Sequence, residues 1–219
     1  MKKILISVLF IPLQLLSAED SPRIESLELY RPGKNERVKV LLSYDNQGQP
    51  VTISQTDAAG VTTNRKVIRY ANGCLNDARA ELPADNSFSL TFFRGKDCRP
   101  LTAISYAKDG KVDQVLFFLY ENDRLKTIDQ YDQTGKFTGK IEILEYSADN
   151  RPAKVRMSLE NGTAMGMDYI YSSDKNLQKI ETHMMIEGTR KVVGIMEFRY
   201  SKTLKASFRW EIEHLLLFG

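Results

Sequence analysis

The side chains here able to attack a substrate, bind a soft metal or move a proton near neutral pH reduce to two cysteines, Cys74 and Cys98, and two histidines, His183 and His214. Zinc sites draw ligands from closely spaced pairs, and a cysteine nucleophile needs a base beside it. Cys74 and Cys98 are separated by 23 residues, with no histidine near either. The pair therefore reads as a structural disulfide formed in an oxidising compartment. His214 follows Glu211 and Glu213, but on a strand those carboxylates share one face while His214 shares the other with Trp210 and Ile212. That separation argues against a local metal triad. No Gly-x-Ser-x-Gly elbow, His-Glu-x-x-His pair, phosphate-cradling loop or dinucleotide fingerprint occurs. Cross-strand carboxylates acting on a cell-wall polymer would leave no recognisable spacing, and an aspartate in a turn is better read as a turn former. The residues thus predict no catalytic site, no metal site and no cofactor.

The elements that must carry these residues are hairpins. An aromatic residue followed by a short polar turn recurs at Tyr44, Tyr70, Phe93, Tyr120, Tyr146, Tyr171 and Tyr200, in steps of 26, 23, 27, 26, 25 and 29 residues. Midway between these lie Asp57-Ala58-Ala59-Gly60, Pro83-Ala84-Asp85-Asn86, Ala107-Lys108-Asp109-Gly110, Asp132-Gln133-Thr134-Gly135, Glu160-Asn161-Gly162 and Glu187-Gly188. Asp, Asn and Gly tolerate positive φ or bond their own backbone, so these segments are turns with a mechanism. Turns this frequent leave room for strands and little else.

Between turns the chain alternates as half-buried strands do. Val38, Val40 and Leu42 share a face with Tyr44; Leu116 and Phe118 with Tyr120; Met165, Met167 and Tyr169 with Tyr171; Met196 and Phe198 with Tyr200. Each repeating tyrosine should close the buried face near a strand end, its hydroxyl reaching solvent or a turn amide. The fold class predicted is all-β: one antiparallel up-and-down meander of about fifteen strands. Accumulated twist should turn so long a sheet into a rolled sheet, an open barrel or a two-layer stack. No linker composition divides residues 19–219, which are expected to form a single domain. Strands two apart lie about 9.6 Å from each other, whereas a disulfide needs Cα atoms within about 7 Å, so the turns bearing Cys74 and Cys98 must lean together.

Opposite faces carry Arg69, Glu145, Asp168, Glu197 and Arg199, which speaks against a lipid-facing band and a stable membrane span. Basic and acidic residues are interleaved, with no block suited to nucleic acid. The methionines gather in the last third. Met165, Met167, Met184 and Met196, with Phe198, are the candidate apolar surface for a ligand or partner, with gap-filling in a curved core as the plainer use. The terminal Leu215-Leu216-Leu217-Phe218-Gly219 reads as a last core strand before a docking segment.

The amino terminus resembles a secretory leader: Lys2 and Lys3, the apolar run Ile4 to Leu16, then Ser17-Ala18 before Glu19-Asp20. The apolar run is shorter than the roughly 20 residues that cross a bilayer. Residues 1–18 are therefore expected to be a cleaved signal peptide, placing the chain in the periplasm or outside the cell. Removing Lys2 and Lys3 lowers the net charge from +3 to +1.

The Tyr-Asp-x-x-Gly elements at Tyr44-Asp45-Asn46-Gln47-Gly48 and Tyr131-Asp132-Gln133-Thr134-Gly135, with Arg124-Leu125 after a turn, resemble the YD repeat of the Rhs family and small exported bacterial β-meander proteins. Most copies lack the aspartate. The resemblance implies a β-meander; Rhs arrays build a shell around a toxin, for which this chain is too short. The expected function is non-catalytic binding of an envelope or secreted protein through a sheet face or edge, as toxin antagonist or envelope-assembly partner. The alternative is a carrier of a lipid or other apolar ligand in a rolled-sheet cavity.

Overall fold

The computed structural model describes residues 21–34, 37–57, 59–82, 89–95, 97–148 and 150–206, with side chains at 21, 22, 82 and 202–206 set aside. The leader, the turn at Pro83, Trp210, His214 and the terminal leucines lie outside the described residues. The strands are β1 Ser21–Tyr30, β2 Arg37–Tyr44, β3 Pro50–Thr56, β4 Thr62–Ala71, β5 Cys74–Leu82, β6 Ser89–Arg94 and β7 Pro100–Tyr106. They continue as β8 Val112–Glu121, β9 Arg124–Asp132, β10 Phe137–Tyr146, β11 Pro152–Leu159, β12 Ala164–Tyr171, β13 Leu177–Ile186 and β14 Thr189–Ala206.

Each strand pairs antiparallel with its sequence neighbours, and β1 pairs with β14, so the meander closes into a barrel. The expectation of about fifteen strands in a rolled sheet or open barrel is thereby refined to fourteen in a closed one. Closure satisfies the backbone groups that an open meander would leave on two edges. The seam is long: Leu27 faces Phe198, Leu29 faces Met196, and the ladder runs on to Ser21 opposite Ala206.

A circular barrel of this many strands would hold opposite backbones roughly 28 Å apart, against the ~10 Å at which facing sheets pack. Yet the inward residues Leu27, Val40, Ala78, Ala103, Ile128, Ile141 and Ile180 are all 0% exposed. The inward side is therefore closed to solvent, and its buried apolar residues form one cluster that runs from Ile24 to Phe198.

The repeat is a hairpin of an odd strand and the next even one, present seven times. At one rim the aspartates form the turns: Asp57 Oδ1 accepts the backbone N–H of Ala59 and Val61, both at 2.9 Å, and Gly60 supplies φ +79°. The other rim is closed by the tyrosines. Each donates its hydroxyl to the carbonyl at the start of the preceding odd strand: Tyr44 to Ile24 (2.7 Å), Tyr70 to Pro50 (3.0 Å), Tyr120 to Pro100 (2.9 Å) and Tyr146 to Leu125 (2.5 Å). Tyr171 bonds Pro152 at 2.8 Å and Tyr200 bonds Leu177 at 2.9 Å in the same way. The acceptor is a strand carbonyl rather than the solvent or turn amide expected. In the third hairpin the position belongs to Arg94, whose Nε donates to the Leu75 carbonyl; Phe93 instead points outward, 49% exposed. Burial pushes the Tyr146 hydroxyl up to about 12 and those of Tyr44, Tyr171 and Tyr200 further, so these phenols stay protonated donors at neutral pH.

Neighbouring turns on the tyrosine rim are stapled at a constant step. Gln49 Nε2 donates to the Gly73 carbonyl at 3.3 Å, Arg99 Nη1 to Asp123 Oδ1 at 3.0 Å, and Arg151 Nη1 to the Lys175 carbonyl. The Cys74–Cys98 disulfide, Cα atoms 5.5 Å apart, is the covalent member of this series. The residue reached is in each case left-handed: Gly73, Cys98, Asp123 and Lys175 have φ of 78°, 63°, 61° and 65°. That conformation turns the loop toward its neighbour, which is how the two cysteines come within reach.

Two outcomes are expected from this rim. Replacing both cysteines by serine should cost about 3 kcal/mol with the barrel retained, measured by urea unfolding and reproduced in the wild type by reductant. Tyr120→Phe, which removes one buried hydroxyl bond, should cost about 1 kcal/mol by the same assay.

Candidate functional site

Strand alternation gives each wall an inner and an outer face, and the outer face divides into two sectors. From β10 through β14 to β2 it is a ladder of ion pairs. Arg156 meets Glu142 at 2.6 Å, Lys154 meets Glu145, Arg190 meets Asp168 at 2.5 Å and Lys179 meets Glu181 at 2.5 Å. At the seam Glu28 accepts from Arg37 (2.9 Å) and Arg199 (2.7 Å), and Tyr30 donates to Glu197 at 2.7 Å. Arg156 beside Glu142 holds that carboxyl below its ordinary range. An apolar interior inside a charged exterior is the reverse of a lipid-embedded channel, whose outer band must be apolar.

The second sector, from β6 to β10, is apolar. Phe93, Leu101, Phe117, Leu119 and Phe137 are 41 to 50% exposed. Register assembles them. Phe93 lies opposite Thr102, which lies opposite Phe117; Val115 faces Tyr131, which faces Phe137. Tyr131 receives Phe117 and Phe137 edge-on, with ring centroids 5.6 and 5.7 Å away, a geometry that fixes the rings rather than leaving them loose. With about 200 Å² per aromatic side chain, the exposed apolar area is on the order of 400 Å², the size of the largest patches on soluble monomers and commonly a contact site.

Leu101 reaches this surface through a bulge. The ladder steps from Phe93↔Thr102 to Arg94↔Pro100 and skips Leu101, so a residue that alternation assigns to the inside turns out. The same irregularity follows the tyrosine turns before β3, β9 and β11. Sequence alternation does not mark the patch, because Phe93 stands in the series of turn aromatics and Phe117 on the face opposite Phe118. Its signal was three aromatics, Phe93, Phe117 and Phe137, on outward positions of nearby strands.

The methionine cluster is on the inner face. Met165, Met167 and Met196 are 9, 2 and 2% exposed and Phe198 is 9% exposed; Met184 is partly buried against them. Met165 stands opposite Met184 and Met157. Among the described residues these side chains pack one another and line no open chamber.

His183 lies outward on β13, 7% exposed, its Nε2 3.1 Å from Asp168 Oδ2, the oxygen that Arg190 also holds. Its Nδ1 is buried without a hydrogen-bond partner. Among the described residues no group of three or more metal-ligating side chains converges, and no helix is long and apolar enough to cross a membrane.

Lys66 is the one charged side chain on the inner face of β4, in line with Ile68 and Tyr70 and 6% exposed. Burial pushes its ammonium down to about 8. The folded value lies below the unfolded one, near 10.4, so the penalty for charging is present in full below pH 8 and fades as pH rises toward 10.4. Lys66→Met should therefore lose stability relative to the wild type as pH rises from 8 to 10.4, by on the order of 2 to 3 kcal/mol. Urea titrations at pH 7, 9 and 10.5 check this; a difference independent of pH would mean that charge is not its cause.

No family model and no curated protein sequence matches the chain. Among solved structures it is similar to a porin-like protein from Bacteroides uniformis, at 12% identity over 83% of this chain and 99% of that one, with a TM-score of 0.48. It is also similar to a putative outer membrane lipoprotein-sorting protein domain from Vibrio parahaemolyticus, at 12% identity, 83% and 86% coverage and TM-score 0.30. A Tc holotoxin pore from Photorhabdus luminescens matches at 17% identity over 72% of this chain and 9% of that one, with TM-score 0.23.

Proposed function

We propose that this is an exported, non-catalytic binding protein whose working surface is the apolar outer face of β6–β10, and that its ligand is an envelope or secreted protein. The observation that carries the reading is the contrast between faces. The inward side chains among the described residues are buried, whereas exposed rings are held edge-on to one another on the outer sector of β6–β10. A rigid aromatic patch is what a protein interface uses for its central contacts. The leader-like residues 1–18 and the disulfide support export, and residues 19–219 serve as one domain. Toxin antagonism and envelope assembly are both roles such a surface can fill. The carrier role for Met165, Met167, Met184, Met196 and Phe198 would require a ligand to reach side chains that are buried or partly buried.

The test is site-specific photocrosslinking in the native envelope. A crosslinker at Leu119 should yield one discrete protein adduct, absent when it is moved to Ser43 on the exposed face of β2. Phe93→Ser combined with Phe117→Ser should remove the adduct at Leu119 and leave the melting temperature within a few degrees, since both side chains are largely exposed. Identical adducts at Leu119 and Ser43, or an adduct indifferent to the double substitution, would sink the proposal.

A further inference from the structure

The seam between β1 and β14 does not run the whole length of β14. Pairing with β13 begins at Thr189, whereas pairing with β1 stops at Tyr30 opposite Ile195. Arg31-Pro32-Gly33 ends β1 at that point: Pro32 has no N–H to give to a ladder, and Gly33, at φ +75°, turns the chain away. Among the described residues, 189–194 therefore have a strand partner on one side, β13, and none on the other.

The hairpin geometry fixes what this edge presents. Ile186 and Thr189 close a two-residue turn in which Glu187 and Gly188 have φ of 52° and 74°, and such a closing pair spends its N–H and C=O groups on each other. Bonded and non-bonded pairs alternate, so in the next pair, Met185 with Arg190, the N–H and C=O of Arg190 point away from β13 into the open side. Alternation also places Lys191 on one face and Met185, Arg190 and Val192 on the other. Met185 is 65% and Ile186 38% exposed, and Val192 is half-buried. Arg190 is held by Asp168. Lys191, with Arg31 and Lys34 in the turn that follows Tyr30, is exposed, and these three form no ion pair with a described residue.

We infer that residues 189–194 of β14 receive an extended acidic segment of a partner protein, which joins the sheet as an added strand. Main-chain bonds to Arg190 supply the pairing, and side chains on alternate faces supply the selectivity. Carboxylates of the segment meet Lys191, Arg31 and Lys34, while its apolar residues lie beside Met185 and Val192. A second copy of this chain is the poorer occupant, because two such edges would set Arg190 and Lys191 against like charges. Cations on an edge keep it from pairing with its own kind; the same cations select an acidic strand. The edge is separate from the β6–β10 face, so the inference does not rest on the role of that face.

The probes are fluorescein-labelled Thr-Glu-Val-Glu-Val-Glu-Val-Thr and its counterpart with lysine for every glutamate, titrated against the purified protein by anisotropy. The acidic peptide should bind saturably and the lysine peptide at least about tenfold more weakly. On binding, amide hydrogen exchange at Arg190 should slow by about tenfold or more, with β6–β10 unchanged. Lys191→Glu should weaken the acidic peptide at least about tenfold and leave the melting temperature within a few degrees. Arg190→Pro and Arg190→Ala lose the same ion pair with Asp168, but only the proline removes the outward N–H, which the β13 ladder does not use. Binding should survive the alanine and fail with the proline; where the proline variant does not fold, the exchange at Arg190 in the wild type decides. Equal binding of the lysine peptide, no saturable binding, slowed exchange at β6–β10 instead of Arg190, or a proline variant that binds like the alanine variant would overturn the inference. So would self-association that slows exchange at Arg190 without peptide, which gives the edge to a second copy.

Discussion

The pairing of β1 with β14 is the constraint on which the rest of the barrel depends. Thirteen hairpin contacts are local and form between neighbours in sequence, but the seam joins strands at opposite ends of the chain. Without it two strands would present unpaired backbone groups, and the apolar side of the sheet would have no reason to close on itself. The seam is accordingly reinforced from both faces. Inside, Leu27 and Leu29 meet Phe198 and Met196; outside, Glu28 is held by Arg37 and Arg199, and Tyr30 by Glu197. Such a contact carries a large loop-closure cost, which a covalent or polar staple elsewhere on the rim helps to offset by limiting the unfolded chain.

Closure alone would give a wide, wet tube. The inward set is apolar and closed to solvent, down to alanines such as Ala78 and Ala103, which have no exposure. The bulges beside the tyrosine turns supply extra local twist. The hydroxyl latches then hold each hairpin at its open end, where strands otherwise fray. Latch, arginine stacked over the tyrosine ring and turn-to-turn staple form one belt in which the disulfide is the covalent member among hydrogen-bonded ones.

The outer faces of the barrel differ in character. The charged sector satisfies itself through pairs on neighbouring strands and has little left to offer a partner, since exposed pairs contribute little individually. The β6–β10 sector adds fixed rings and a bulged leucine. Buried Lys66 and the Asp168–His183–Arg190 group are polar features that the packing tolerates; neither has a substrate-sized space beside it among the described residues.

The turns, the strands and their inward set were legible in the amino-acid sequence because each rests on local chemistry. Asp57, Asp132, Gly60 and Gly135 fix turns within a few residues, and period-two alternation marks Val38 to Leu42 or Met165 to Tyr169 whatever lies across from them. The cysteine pairing was legible too, from compartment and spacing. Other features depended on residues that are distant in the chain. Whether the meander closes is decided by β1 meeting β14. The bulge that turns Leu101 outward, the substitution of Arg94 for a tyrosine latch, and the return of Arg99 and Arg151 over Tyr120 and Tyr171 all depend on register between strands. Sequence by itself determined the hairpins, because their forces act over a few bonds; tertiary structure decided the closed barrel and its exposed faces, because packing and register act between segments that the sequence leaves far apart.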